Sequence, residues 1–271
     1  MADLGPLDLS AAQGRSTIVV DREGRLLRPF ATPEGRWRLP IEPADVDPRY
    51  IAMLKAYEDV RFDSHPGVDP LASLRAAGQF LRSGRVVSGG STLSMQVARL
   101  LEPRDERSFR AKLRQMVRAV QLERRFDKSE ILRLYLTLAP FGGNLEGARA
   151  ASLSYFGREP KRLSFGEAAL LVALPQAPET RRPDRFGENA RRARDRVLDR
   201  AVARGVLTEA EARAAKAEPI PSERRGFPML AAHAAEAAVA ERPGEPVQRL
   251  SLDGHLQASL EALAAERVAS I

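Results

Sequence analysis

Asp47-Pro-Arg-Tyr-Ile-Ala-Met-Leu-Lys-Ala-Tyr-Glu-Asp-Val-Arg-Phe-Asp-Ser-His-Pro-Gly67 is the stretch on which the reading of this chain turns. Aspartate followed by proline is a helix start: the carboxylate caps free backbone N–H groups, and proline lacks the N–H that the first turn leaves unpaired. Ile51, Met53 and Leu54 give the apolar face, and the spacing predicts a helix to about Tyr57. Glu58 and Asp59 then fall at its C-terminal end, where the helix dipole disfavours anions. A partly buried carboxylate there tends towards a raised pKa, which suits a general base. Phe62, His65, Pro66 and Gly67 follow as a turn with its own titratable group. On the pattern alone, an exposed acidic pair at a helix end is the simpler reading.

Outward from this segment, residues 47–217 read as helical, with no sustained period-2 alternation. Asp69-Pro70 repeats the start signal, and Asp127-Lys-Ser-Glu130 opens a helix with Ile131, Leu134, Tyr135 and Leu138 on one face, stopped by Pro140. Ser164-Phe-Gly-Glu167 is a capping box, and Ala168 to Leu174 after it is apolar all round, which predicts a core helix. On the N-terminal side, residues 1–14 form a lead-in. Residues 15–46 read as a short β-hairpin, turning at Asp21-Arg-Glu-Gly24, plus a linker punctuated by Pro40 and Pro43. Residues 218–271 read as a linker followed by a strand and a helix from residue 249.

The composition narrows the chemistry. In 271 residues, 43 Lys and Arg stand against 36 Asp and Glu, a net charge of +7, with 38 Arg and five Lys. Such a balance suggests anionic partners: nucleic acid, lipid headgroups or a phosphorylated substrate. The absence of cysteine rules out disulfides, thiolate metal sites and a cysteine nucleophile. His65, His233 and His255 lie far apart and show no metal-ligand spacing. Aromatics are 6% and not interleaved with the basic residues, so nucleic acid is not expected as a partner. No apolar run approaches the roughly 18 residues of a membrane span.

Two segments could hold an anion. Ser88-Gly-Gly-Ser-Thr-Leu-Ser-Met-Gln96 places glycines and hydroxyls at a helix start, where free N–H groups and the positive dipole end attract phosphate; it lacks the Gly-Lys-Ser/Thr ending of a P-loop. The helix from about Glu106 to Arg124 carries Arg107, Arg110, Arg114 and Arg118 on one stripe, with Lys112 beside it. The plainer readings are a flexible capping loop and a solvated basic face. Together they could grip a diphosphate.

In this order and spacing the segments resemble the glycosyltransferase family 51 domain of class A penicillin-binding proteins. Glu58-Asp-Val-Arg-Phe-Asp-Ser-His-Pro-Gly67 is similar to that family's Glu-Asp-x-x-Phe-x-x-His-x-Gly motif, and Gly89-Gly-Ser-Thr-Leu-Ser-Met-Gln96 to its Gly-Gly-Ser-Thr motif. Lys112-Leu-Arg-Gln115 falls where Arg-Lys-x-x-Glu is expected. Ile131-Leu-Arg-Leu-Tyr-Leu136 and Ala150-Ala-Ser-Leu-Ser-Tyr-Phe-Gly157 resemble two later motifs. The likeness spans roughly residues 15–230. Arg28-Pro-Phe-Ala31, Trp37-Arg-Leu-Pro40, Ala139-Pro-Phe-Gly-Gly143 and Leu174-Pro-Gln-Ala-Pro178 point to one subgroup within it.

The resemblance implies a mainly α-helical, lysozyme-like, two-lobed domain that polymerises lipid II into β-1,4-linked glycan strands with inversion, releasing undecaprenyl diphosphate and binding moenomycin. It implies Glu58 as the base, with Asp59, Phe62, His65 and Gln115 supporting. It implies Gly90, Ser91, Thr92, Gln96, Arg99, Arg107, Arg110 and Lys112 as contacts to the donor's phosphates and sugars. No cofactor is required on this reading, although a divalent cation such as magnesium could assist. The partners are lipid II, the growing strand, the membrane surface and other cell-wall synthesis proteins, at the periplasmic face of the cytoplasmic membrane. Leu71, Leu74, Phe80, Leu81, Val86 and Val87 could face lipid or form core.

Three positions depart from the family pattern. Gln115 replaces a second glutamate; it can hydrogen-bond but cannot accept a proton, which excludes a two-carboxylate mechanism. Ala111 replaces an arginine, for which Arg110 could compensate, and Thr137 replaces an asparagine. The family carries an N-terminal anchor and a penicillin-binding transpeptidase. Neither is expected here: no apolar run is long enough for the anchor, and no lysine follows a serine by three residues as the transpeptidase requires, so the chain reads as a fragment. A lysozyme-like lytic enzyme and a non-catalytic cell-wall scaffold are the rival readings; a lytic enzyme has no diphosphate to bind.

Overall fold

A computed structural model describes residues 5–72, 74, 90–103 and 108–269. The chain is mainly helical with a small N-terminal sheet. In order it runs β1 (Thr17–Val20), β2 (Leu26–Phe30), β3 (Trp37–Arg38), α1 (Pro48–Glu58), α2 (Leu93–Leu101), α3 (Phe109–Arg125), α4 (Lys128–Leu138), β4 (Leu145–Glu146), α5 (Ala148–Phe156), α6 (Phe165–Ala173), α7 (Gly187–Ala203), α8 (Glu209–Ala217), α9 (Ala232–Glu241), β5 (Val247–Arg249) and α10 (Gly254–Ala269).

The start signals act as read. Asp47 accepts from the Arg49 N–H at the head of α1. Reciprocal capping boxes open α4 (Asp127 and Glu130) and α6 (Ser164 and Glu167). Residues 168–173 of α6 are all buried, so this helix is the axle of the core. α1 and α7 pack on it, and α2, α4 and α5 complete the same apolar cluster. Each fully buried aliphatic side chain contributes about 1.5–3 kcal/mol. The α3 helix starts two residues beyond the expected Glu106, at Ser108, whose hydroxyl accepts from the Ala111 N–H.

The hairpin is β1 against β2, antiparallel, with Val19 opposite Arg28. Alternation sends Ile18 and Val20 into the helical core while Val19 joins Leu27, Ala231 and Ala235 in a second cluster. The 218–271 stretch, read as a linker and the start of a further domain, folds back here. β5 pairs in parallel with β1, and α9 covers the sheet's outer face. Asp21 ties the two ends of the chain together: its carboxylate accepts from the backbone N–H groups of Glu23, Arg25 and Gly254 and from Arg25 Nε. Burial alone would raise its pKa, but those bonds hold it far below the usual carboxylate range.

Candidate active site

Glu58 is the last residue of α1, half-buried, at a seam between α2 and the turn that closes α6. Gln96 Nε2, on α2, donates to its Oε2 at 2.9 Å. Gln176 Nε2, in the 3-10 turn Leu174–Gln176, donates to its Oε1 at 2.7 Å. Burial holds the Glu58 carboxyl above the usual value, against these two amides and the positive charges of Arg200 and Arg181.

Asp59, one residue on, is enclosed. Both its oxygens face His65 Nε2, at 3.0 and 2.9 Å, and Oδ2 also accepts from the Leu93 N–H at 2.9 Å. The Gly67 N–H donates to His65 Nδ1 at 3.1 Å, so Nδ1 is an acceptor and the ring proton sits on Nε2, pointing at Asp59. Asp59 therefore anchors the first turn of α2 to the turn that follows α1. Phe62 is buried, meeting His65 edge-on with ring centroids 6.3 Å apart and Lys128 Nζ 4.7 Å from its own. Gly67 has φ +98°, and a Cβ there would lie 2.6 Å from the Ala119 carbonyl oxygen. Only glycine lets the turn press this closely onto α3.

The second motif divides in two. Thr92, expected on the diphosphate, is a buried cap: its hydroxyl accepts from the Met95 N–H and donates to the Gly67 carbonyl at 2.5 Å. Ser91, beside Gly90, accepts from Lys112 Nζ across from α3. Burial and neighbouring Arg99 depress the Lys112 ammonium below its usual pKa. Gln96 and Arg99 are three residues apart on α2 and so share one helix face. Neither Lys112 nor Arg99 forms an ion pair among the described residues. Two cations that repel each other without a carboxylate between them, next to helix-start hydroxyls, make a place for an anion.

The basic stripe on α3 is not one surface. Arg118 is buried, paired with Glu102 at 2.7 Å and donating to the Gly5 carbonyl and Gln121, so it is structural. Gln115 lines a groove with Arg99, Arg114 and Arg118. Arg110 is exposed. Arg107 lies outside the described residues, as do Phe80, Leu81, Val86 and Val87 of the apolar patch. Leu71 and Leu74 are exposed, as are Phe109 and Leu113 on α3. Gln176, Arg181 and Arg200 were not expected at the site. Among the described residues no three His, Asp or Glu side chains group to hold a metal ion, and no helix is long and apolar enough to cross a membrane.

Glu58 thus meets α2 at Gln96, and the Ser91–Lys112 contact lies just ahead of the same helix. Residues 23–202 match the family described as Transglycosylase, and the chain belongs to that family. Within it the chain is similar to penicillin-binding protein 1C of Escherichia coli K12, 47% identical over 247 residues, covering 91% of this chain and 32% of that protein. That is the subgroup to which the Arg28-Pro-Phe-Ala31 and Leu174-Pro-Gln-Ala-Pro178 segments point. It is also 37% identical over 202 residues to penicillin-binding protein 1A of Pseudomonas aeruginosa PAO1, covering 74% of this chain and 24% of that protein. To penicillin-binding protein 1A of Vibrio cholerae it is 34% identical over 232 residues, covering 84% and 28%. The chain thus spans about a quarter to a third of the length of these curated relatives.

Proposed function

We propose that this chain is a peptidoglycan glycosyltransferase that extends glycan strands from lipid II. The observation that carries the reading is that Glu58 accepts from Gln96 on α2, the helix whose start brings Ser91 to Lys112, a cation that like Arg99 has no carboxylate ion-pair partner among the described residues. Glu58 takes the proton of the acceptor sugar's 4-hydroxyl as that oxygen attacks the donor's anomeric carbon. The bond from that carbon to the undecaprenyl diphosphate breaks, and the linkage inverts to β-1,4. The negative charge that develops on the departing diphosphate is met by Lys112, Arg99 and the Ser91 hydroxyl. Fixed positive charge at that point is commonly the largest single term in catalysis. Asp59 and His65 hold the turn after α1 and the start of α2 in register. The chain's own cations supply the charge a divalent ion would otherwise bring, so magnesium assists at most.

The substrate's lipid places the site at a membrane surface. Leu71, Leu74, Phe109 and Leu113, with Arg110 on α3, supply exposed apolar and cationic groups for it. The working location is the periplasmic face of the cytoplasmic membrane, alongside other cell-wall synthesis proteins. Incubation with lipid II in detergent tests the reading. Glycan polymer and free undecaprenyl diphosphate are expected, both blocked by moenomycin. Cleavage of preformed strands without polymer would instead make the chain a lytic enzyme, and moenomycin binding without turnover a scaffold.

A further inference from the structure

We infer that Gln176, locked in place by Arg181, is a positioning residue that fixes the orientation of the Glu58 carboxylate from the side opposite Gln96. The inference rests on the glycosyltransferase reading for its consequence, and on geometry for its substance. Gln176 Nε2 donates to Glu58 Oε1 at 2.7 Å, while Gln176 Oε1 accepts from Arg181 Nη1 at 3.0 Å. A carboxylate only accepts and a guanidinium only donates, so an amide between them has one allowed orientation. Arg181 Nη1 is itself tethered at 2.7 Å to the Ala173 carbonyl, one of the carbonyls left free where α6 ends. Leu174 and Pro175 are buried, so the turn carrying Gln176 is pinned to the core. Each Glu58 oxygen is thus held by one amide, from residues 38 positions ahead and 118 positions ahead in the chain. Each oxygen keeps a lone pair for an incoming hydroxyl, and the carboxylate plane no longer rotates.

The other groups facing Glu58 are Arg181 and Arg200, with Tyr50 on α1 and Tyr135 on α4 buried behind it. Arg200 also stacks on the Tyr57 ring, 5.4 Å from its centroid, and Arg196 lies near Arg181. None of these cations donates to the Glu58 carboxylate. Removing the Gln176 amide therefore removes one of two direct donors and leaves the charges in place.

The test compares Gln176→Leu, Arg181→Met and the double variant with the parent chain, all monitored for folding by thermal unfolding. Gln176→Leu is expected to lower kcat about tenfold to hundredfold with KM little changed. It is also expected to move the acid limb of kcat upward by about half a pH unit or more, since a donor to the ionised form is lost. Arg181→Met frees the amide to flip and acts in the same direction, less strongly. Arg181 also lowers the Glu58 pKa directly through its charge, so the double variant should titrate higher than Gln176→Leu by the loss of that charge. A carbon-13 titration of the Glu58 carboxyl reads the same shift without turnover. It separates this proposal from the assignment of activity: an upward shift with no polymerisation by the parent sustains the clamp and removes the transferase reading. An unmoved carboxyl titration in folded Gln176→Leu overturns the clamp.

Discussion

Glu58 and Asp59 are neighbours in sequence and opposites in environment. Asp59 lies in a region where every charge and cap is answered: by His65, by the Leu93 N–H, by Thr92 on Gly67, and by Lys128 on Glu123 and the His65 carbonyl. Glu58 is met by two neutral amides, and on the helix that supplies one of them Arg99, like Lys112 beside Ser91, has no carboxylate ion-pair partner among the described residues. The first arrangement minimises the cost of buried polar groups, and the second leaves electrostatic energy unspent. Unspent charge is what a site needs if its interactions are to form with the reacting substrate and not with the protein itself. The contrast recurs on α3, where Lys112 has no ion pair among the described residues and Arg118, under two turns later, is paired with Glu102.

That pair of cations offers the sharpest way to break the comparison. Lys112→Ala should cut turnover about 10²–10³-fold and leave the melting temperature unchanged. Arg118→Ala should do the reverse, costing about 3 kcal/mol by leaving Glu102 half-buried and unpaired, with turnover per folded molecule spared. Denaturant unfolding alongside a polymerisation assay reads both. If the two variants behave alike, the division of α3 into an anion-binding and a structural part is wrong. Gly67→Ala probes the enclosed region alone. Its φ of +98° and the Ala119 carbonyl predict a loss of about 2–3 kcal/mol in unfolding free energy.

The pH profile sharpens the open region. A base with a raised pKa is ionised only above that value, so activity should fall with decreasing pH at a point above the ordinary glutamate range near 4.5. A cation with a depressed pKa is lost early on the alkaline side, so activity should fall below the ordinary lysine value of 10.5. The bell is narrowed from both sides, and Lys112→Arg should move only the alkaline limb. The smallest effect expected is that of EDTA, about twofold or less on polymerisation. A loss of tenfold or more would mean that a divalent cation carries charge assigned here to Lys112 and Arg99.

Local signals were legible and long-range ones were not. Asp47, Asp127 and Ser164 mark helix starts because a cap is decided by its own next three residues. The all-apolar run of α6 declares a core helix for the same reason. The bond from Thr92 to Gly67 and the ion pair of Arg118 with Glu102 were not legible, because sequence spacing shows which residues share a face and not what lies opposite. The β4 strand, Leu145–Glu146, is two residues long and carries no period; it exists because it pairs with Trp37–Arg38. The α9 helix begins without a capping side chain, at Ala231 with φ 52°, and its first N–H is answered by Glu261, 30 residues away. Gln176 has no local mark at all, since its partner is brought to it only by the packing of α1 on α6.

The central claim is that of the two adjacent carboxylates only Glu58 touches the reaction. The direct measurement is lipid II polymerisation by Glu58→Gln and Asp59→Asn side by side, each with its melting temperature and its moenomycin affinity. Glu58→Gln should fold, bind moenomycin and lose about 10²–10⁴-fold in turnover, the range for loss of a positioned base. Asp59→Asn should lower the melting temperature and keep substantial turnover in whatever fraction stays folded. A fully folded Asp59→Asn without turnover, beside a Glu58→Gln that still polymerises, would contradict the account.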